Sequence, residues 1–247
     1  MRSYKKILKT ELKLSLRGMD MLIFAVIMPI VVLVVLGIIY GNRPAFEGAG
    51  YTFIQRSFGG LASIAICAGG VMGLPLVVSD YRSKRILKRF KVTPISPVTI
   101  LLVEVTIYFL YALTSLVTLF AVARIFFGFK MQGSILQFIL GWLLVMVSMF
   151  SIGMMVGGIA KNSKDAGIIA SILYFPMVIF SGATLPYEVM PTTMQSVVDI
   201  LPLTQGIKIL KSATLNLPME RVLLPIIVMT AIAVICSLVA IKFFKWE

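Results

Sequence analysis

The chain has no histidine, two cysteines and ten acidic residues in 247 positions. With no histidine and few carboxylates in its apolar runs, the usual ligands of a catalytic metal are missing. Cys67 and Cys236 both lie inside apolar runs, where a free thiol behaves as a small hydrophobe, so no disulfide framework is expected. No G-x-x-x-x-G-K-[ST] sequence occurs, which excludes a P-loop cradle for nucleotide phosphates. A membrane-embedded enzyme would need a nucleophile, base or metal ligands converging at one depth, and Glu104 stands alone in its run. The first residues form a basic amphipathic stretch rather than a short apolar region ending in small residues, so no cleaved signal peptide is expected.

What the chain has in abundance is apolar surface: 59% of its residues are hydrophobic and its mean hydropathy is +1.01. That is a membrane protein. Its net charge of +13 could suit nucleic acid, but the cations are clustered between apolar runs, a pattern set by membrane orientation, and no nucleic-acid partner is expected. Six spans are predicted, at about 21–40, 58–79, 98–123, 135–160, 166–181 and 222–241, in an all-α polytopic fold. The first, Met21 to Tyr40, is twenty residues without a charge, which at ~1.5 Å per residue matches the ~30 Å hydrocarbon core. Pro29 should kink it. Gly59, Gly60, Gly69, Gly70 and Gly73 in the second span suit close helix packing or a substrate contact, and Gly153 and Gly157 make a G-x-x-x-G pair in the fourth. From 186 to 220 the chain is broken by Pro191, Pro202 and Pro218, so it reads as two short helices, about 192–200 and 203–215, on the outer face or dipping partly inward.

Residues 3–18 predict a helix lying on the membrane. Tyr4, Ile7, Leu8, Leu12, Leu14 and Leu16 spread over one side, while Lys5, Lys6, Lys9, Lys13 and Arg17 share the other. Such a helix serves either as a topogenic signal or as a mechanical element.

The segment 80–97, DYRSKRILKRFKVTPISP, holds six cations within ten positions. One Lys or Arg at the bilayer centre costs about 2.5 to 3.5 kcal/mol on the insertion scale, so this segment stays in water, and positive charge beside spans is normally cytoplasmic. Asp80 is placed to cap a helix beginning at Tyr81, with Ile86, Leu87 and Phe90 on one face, and Pro94 and Pro97 stop it. It is either a solvated loop resting on anionic headgroups or a docking element for a partner. With the N-terminus inside, sixteen cations fall on inner segments and seven on outer ones, which places both termini in the cytoplasm. Glu104, near the inner end of the third span, is either a functional ionisable group or a solvated or lysine-paired interfacial glutamate.

Two segments resemble the ABC-2 family of transporter permeases: RILKRFKVTPISPVTILLVEV, Arg85 to Val105, and FSGATLPYEVMPTTMQSVVDILPLTQGIKILK, Phe180 to Lys211. The order of parts resembles that family over nearly the whole chain, as a single transmembrane domain, 1–247. The chain looks more like the drug- and antibiotic-efflux branch than the polysaccharide exporters, although Ser83 and Lys84 stand where many relatives carry acidic residues and a Gly-Thr pair. The resemblance implies that 3–18 is a connecting helix, that 80–97 is a cytoplasmic coupling loop, and that 186–220 forms short extracellular re-entrant helices. It further implies partner coupling through Arg85, Ile86, Leu87, Lys88, Arg89, Phe90, Pro94 and Pro97, and an extracellular gate at Ser181, Gly182, Pro186, Pro202 and Leu203. Two permease subunits, identical or related, would pair with separate ATP-binding subunits that hold ATP and Mg, leaving this chain without a cofactor. The nearly charge-free spans suit a hydrophobic or amphiphilic cargo. The alternative is an ATP-independent channel or secondary transporter, which usually shows inverted repeats or charged residues near the midplane; the sequence has neither.

Overall fold

A chain in hydrocarbon must satisfy every backbone N–H and C=O internally, and helices do this within one segment. The computed structural model follows that rule; it describes residues 2–41, 43–46, 48–84, 96–182, 190–218 and 222–243. Among these the elements are helices, with one isolated bridge between Pro44 and Thr52. Helix α1 is Arg2–Gly18. Six helices are long and apolar enough to cross a membrane: α2 (Asp20–Tyr40), α3 (Phe53–Ser83), α4 (Pro97–Phe127, apolar from Val98), α5 (Ile135–Ile159), α6 (Ser163–Phe180) and α9 (Leu223–Phe243). Two shorter helices, α7 (Thr192–Val198) and α8 (Pro202–Leu215), precede the last of them.

The hub is α3. In its most apolar window 78% of residues are buried, against 17% for α6 and 28% for α2 and α9, so the others pack around it and present their remaining faces to lipid or to a partner. Glycine makes this possible. A Cβ on Gly59 would lie 2.9 Å from the backbone of Leu210 and Lys211, and one on Gly70 would meet Met149 and Phe150, so α8 and α5 rest directly on the α3 backbone. Gly153 faces the Gly70 carbonyl and Gly157 faces Val78, so the G-x-x-x-G pair of α5 is spent on packing within the chain.

Two prolines shape the spans. Proline removes one backbone donor and its ring crowds the carbonyl four residues earlier. Each is met by a widened, π-type turn just upstream, Ile23–Ile27 before Pro29 and Ala68–Gly73 before Pro75. This is the local form that the expected distortion at Pro29 takes.

Several boundaries differ from the sequence expectation. The second span was expected to begin at about Phe58, yet α3 starts at Phe53 because Thr52 and Gln55 form a capping box: Thr52 Oγ1 accepts from the Gln55 N–H (3.2 Å) and Gln55 Oε1 from the Thr52 N–H (2.8 Å). At the other end α3 runs without a break to Ser83, so Asp80 is not the N-cap of a separate helix. It lies inside the last turns and pairs with Lys84 at 2.9 Å, one turn on. Helix α4 extends to Phe127 and ends on Gly128 in the left-handed conformation, φ 62, beyond the expected limit at Ala123. Of the two placements expected for the short helices, α8 fits the inward one: from Leu203 to Leu215 nearly every residue is buried among α3, α5 and α9.

Candidate functional site

The inward side of helix α1 packs against protein. Its inward residues are Tyr4, Ile7, Leu8, Glu11, Leu12 and Ser15, at spacings of three and four, and they pack along α4. Tyr4 and the Thr106 hydroxyl are 2.6 Å apart, and Thr106 already donates to the Leu102 carbonyl at 2.7 Å, so Tyr4 is the donor. Further along, Ser15 and Tyr111 share a hydrogen bond of 2.8 Å. Leu14 and Leu16, expected on the apolar side, are exposed together with Lys5, Lys6, Lys9, Lys13 and Arg17. The apolar side is narrower than the leucines suggested, and protein covers it.

Glu104 sits at the centre of this seam and is 4% exposed. It is buried rather than solvated, and among the described residues no lysine pairs with it. The Tyr81 hydroxyl lies 3.0 Å from Glu104 Oε1 and 3.0 Å from Glu11 Oε2, so one phenol joins α1, α3 and α4. Among the described residues no lysine or arginine is within ion-pair distance of either carboxyl.

The next residue grips a different neighbour. One terminal nitrogen of Arg82 donates to the carbonyls of Gly157 (2.9 Å), Gly158 (2.5 Å) and Ala160 (3.0 Å), the orphan acceptors at the C-terminal end of α5. Tyr81 and Arg82 therefore fasten the last turn of α3 to α1, α4 and α5 immediately before the basic segment.

Of the residues expected to couple to a partner, Arg85, Ile86, Leu87, Lys88, Arg89, Phe90 and Pro94 lie outside the described residues. Pro97 opens α4 at its first position, where its missing N–H costs nothing. Of the expected gate, Pro186 lies outside the described residues. Ser181 is buried at the end of α6 with its hydroxyl on the Val178 carbonyl (3.2 Å), and Gly182 follows at φ 83. Pro202 opens α8, and Leu203 is fully buried behind it. Helices α6 and α8 touch. The sequence reading missed Glu11, Tyr81 and the role of Arg82. The available signal was Glu11 itself, the one acid before Asp20, on the same face as Ile7 and Leu8.

Residues 2–215 match the family model for ABC-2 type transporter membrane domains. The chain belongs to the ABC-2 type transporter family. It is also similar to the inner membrane transport permease YhhJ of Escherichia coli (strain K12) and to its namesake in Shigella flexneri, in each case 29% identical over 119 residues. That match covers 48% of this chain and 32% of each relative, so the chain spans about a third of the length of the curated relatives it matches. That family supplies membrane components of ABC transporters, and six helices of this chain are long and apolar enough to cross a membrane.

Proposed function

We propose that this ABC-2 chain is the permease subunit of an ATP-driven exporter that moves a hydrophobic or amphiphilic substrate, such as an antibiotic, drug, peptide or lipid-like molecule, outward across the cell membrane. Both termini and the 80–97 segment face the cytoplasm, where separate ATP-binding subunits hold ATP and Mg and engage the basic segment. A second permease subunit, identical or related, completes the path. The observation that carries this reading is the fastening at Tyr81 and Arg82. A pull on the segment that begins at Lys84 reaches α1, α4 and α5 at once through hydrogen bonds, so displacement by a partner is transmitted to several spans together. The apolar interior and the exposed apolar flanks of α2, α6 and α9 suit a cargo that partitions into the bilayer.

Affinity purification of the tagged chain from membranes, followed by ATPase assay, tests it. Recovery of a stoichiometric ATP-binding subunit whose hydrolysis drives dye or drug accumulation in inverted vesicles is the expected result. Transport by the purified chain alone, driven by an ion gradient and indifferent to ATP, would make it a secondary transporter.

A further inference from the structure

The contacts of Tyr81 pose a question of protons. A phenol carries one hydrogen, and an ionised carboxylate is an acceptor only. The Tyr81 oxygen nevertheless lies 3.0 Å from a carboxylate oxygen of Glu11 and 3.0 Å from one of Glu104. If the phenol donates to one carboxylate, its oxygen meets the other across two lone pairs, unless that second carboxyl brings a hydrogen of its own. Satisfying both contacts takes two protons where the phenol supplies one.

Among the described residues the surroundings offer no substitute. From α1 the group facing Glu104 is Glu11, and from α3 it is Tyr81. On α4 itself Tyr108 and Tyr111 stand one and two turns along. The other charged residues in the last turns of α3 are engaged elsewhere, Asp80 with Lys84 and Arg82 with the α5 carbonyls. Residues 21–39 of α2 and 68–73 of α3, which also pack on α4, contain no charged residue. Two like charges brought to one half-buried oxygen repel each other where no cation stands between them, and a shared proton removes that repulsion.

We propose that Glu11, Tyr81 and Glu104 form a shared-proton latch that holds α1 against α3 and α4. With the extra proton in place, each carboxyl has a hydrogen-bond partner and α1 stays docked. When that proton leaves to water, two carboxylates face one phenol, and α1 disengages along the seam that Tyr4 and Ser15 otherwise complete. The latch is a property of this chain's packing and does not depend on which substrate is carried or on ATP.

Spin labels on Lys13→Cys of α1 and Lys164→Cys of α6, both exposed, report the docking as a distance in membrane vesicles, with the buried Cys67 and Cys236 left in place. The expected result is one narrow distance near pH 5, with about half or more of the population moving to a longer, broader distance as pH rises to about 9. Glu104→Gln and Glu11→Gln each supply a permanent hydrogen at the latch. Each should keep the narrow distance throughout; if one variant fails to insert, the other decides. A distribution in the unsubstituted latch that ignores pH overturns the proposal, and so does retention of the pH dependence in the glutamine variants. Because the readout is a distance within one chain, failure of the exporter reading leaves it intact.

Discussion

Arg82 and Gly157 are joined at 2.9 Å, guanidinium to carbonyl, across the gap between the end of α3 and the end of α5. The same nitrogen reaches Gly158 and Ala160, so a single side chain closes a helix terminus that would otherwise leave its last carbonyls without partners. Hydrogen bonds from a charged donor are worth about 1.5 to 3 kcal/mol. Arg82→Ala should lower the stability of the purified protein by about that amount, read as a fall in the thermal midpoint in detergent. Arg82→Lys should restore part of it, because lysine keeps the charge but lacks the planar fork. An alanine variant as stable as the parent would show that the clamp does not hold α3 to α5.

The crossing of α3 and α5 makes a second, sharper contrast between two glycines. A methyl group on Gly153 would press on the Gly70 carbonyl, a backbone atom that cannot rotate away, whereas Gly167 in α6 has nothing within 4 Å of the same position. Gly153→Ala should therefore cost about 1 to 3 kcal/mol through overpacking. Gly167→Ala should be neutral, or stabilising by up to about 1 kcal/mol, because alanine is the better helix former. Denaturation in mixed micelles of the two variants side by side reads the difference, and equal behaviour would mean that the helices separate freely at Gly153.

How much of this was legible beforehand follows from which forces act locally. Hydropathy alone locates six spans, since a charge-free run such as Met21 to Tyr40 has few alternatives in lipid. The glycines of α3 and the G-x-x-x-G pair of α5 were recognisable as packing residues, but not as partners of one another, because pairing is set by the fold. Caps were readable and were missed: Thr52 and Gln55 stand at capping-box spacing. The extent of α3 was not readable, since Asp80 suits an N-cap as well as an i,i+4 partner for Lys84, and the continuity of the helix decides between them. The polar seam was hidden for a related reason. Glu11 lies 93 positions before Glu104 in the sequence, and a tyrosine that was expected merely to start a helix brings them together.

For the basic segment the expectation rests on sequence and on its anchorage. Ile86, Leu87 and Phe90 share one side of a helical projection among Arg85, Lys88 and Arg89, which is the composition of an anchor with a charged rim. Phe90→Ala should leave insertion and expression unchanged while cutting ATP-dependent transport by roughly thirtyfold, since a buried aromatic anchor is worth about 2 kcal/mol or more. ATP hydrolysis by the partner should continue without transport. Wild-type transport at equal expression would exclude Phe90 from the docking surface.

The orientation of the whole arrangement can be read at one residue. Ser83 is exposed at the end of α3, and both native cysteines are buried, so a cysteine introduced there is the reactive thiol with little background. Six neighbouring cations keep that end in water whichever way the chain is inserted, so the label always has access from one side. A membrane-impermeant maleimide should leave Ser83→Cys untouched in intact cells and modify it fully in inverted vesicles. Modification from outside would put the basic segment on the face where no ATP is supplied, and the same hydrogen bonds at Tyr81 and Arg82 would then have no nucleotide-driven partner to transmit.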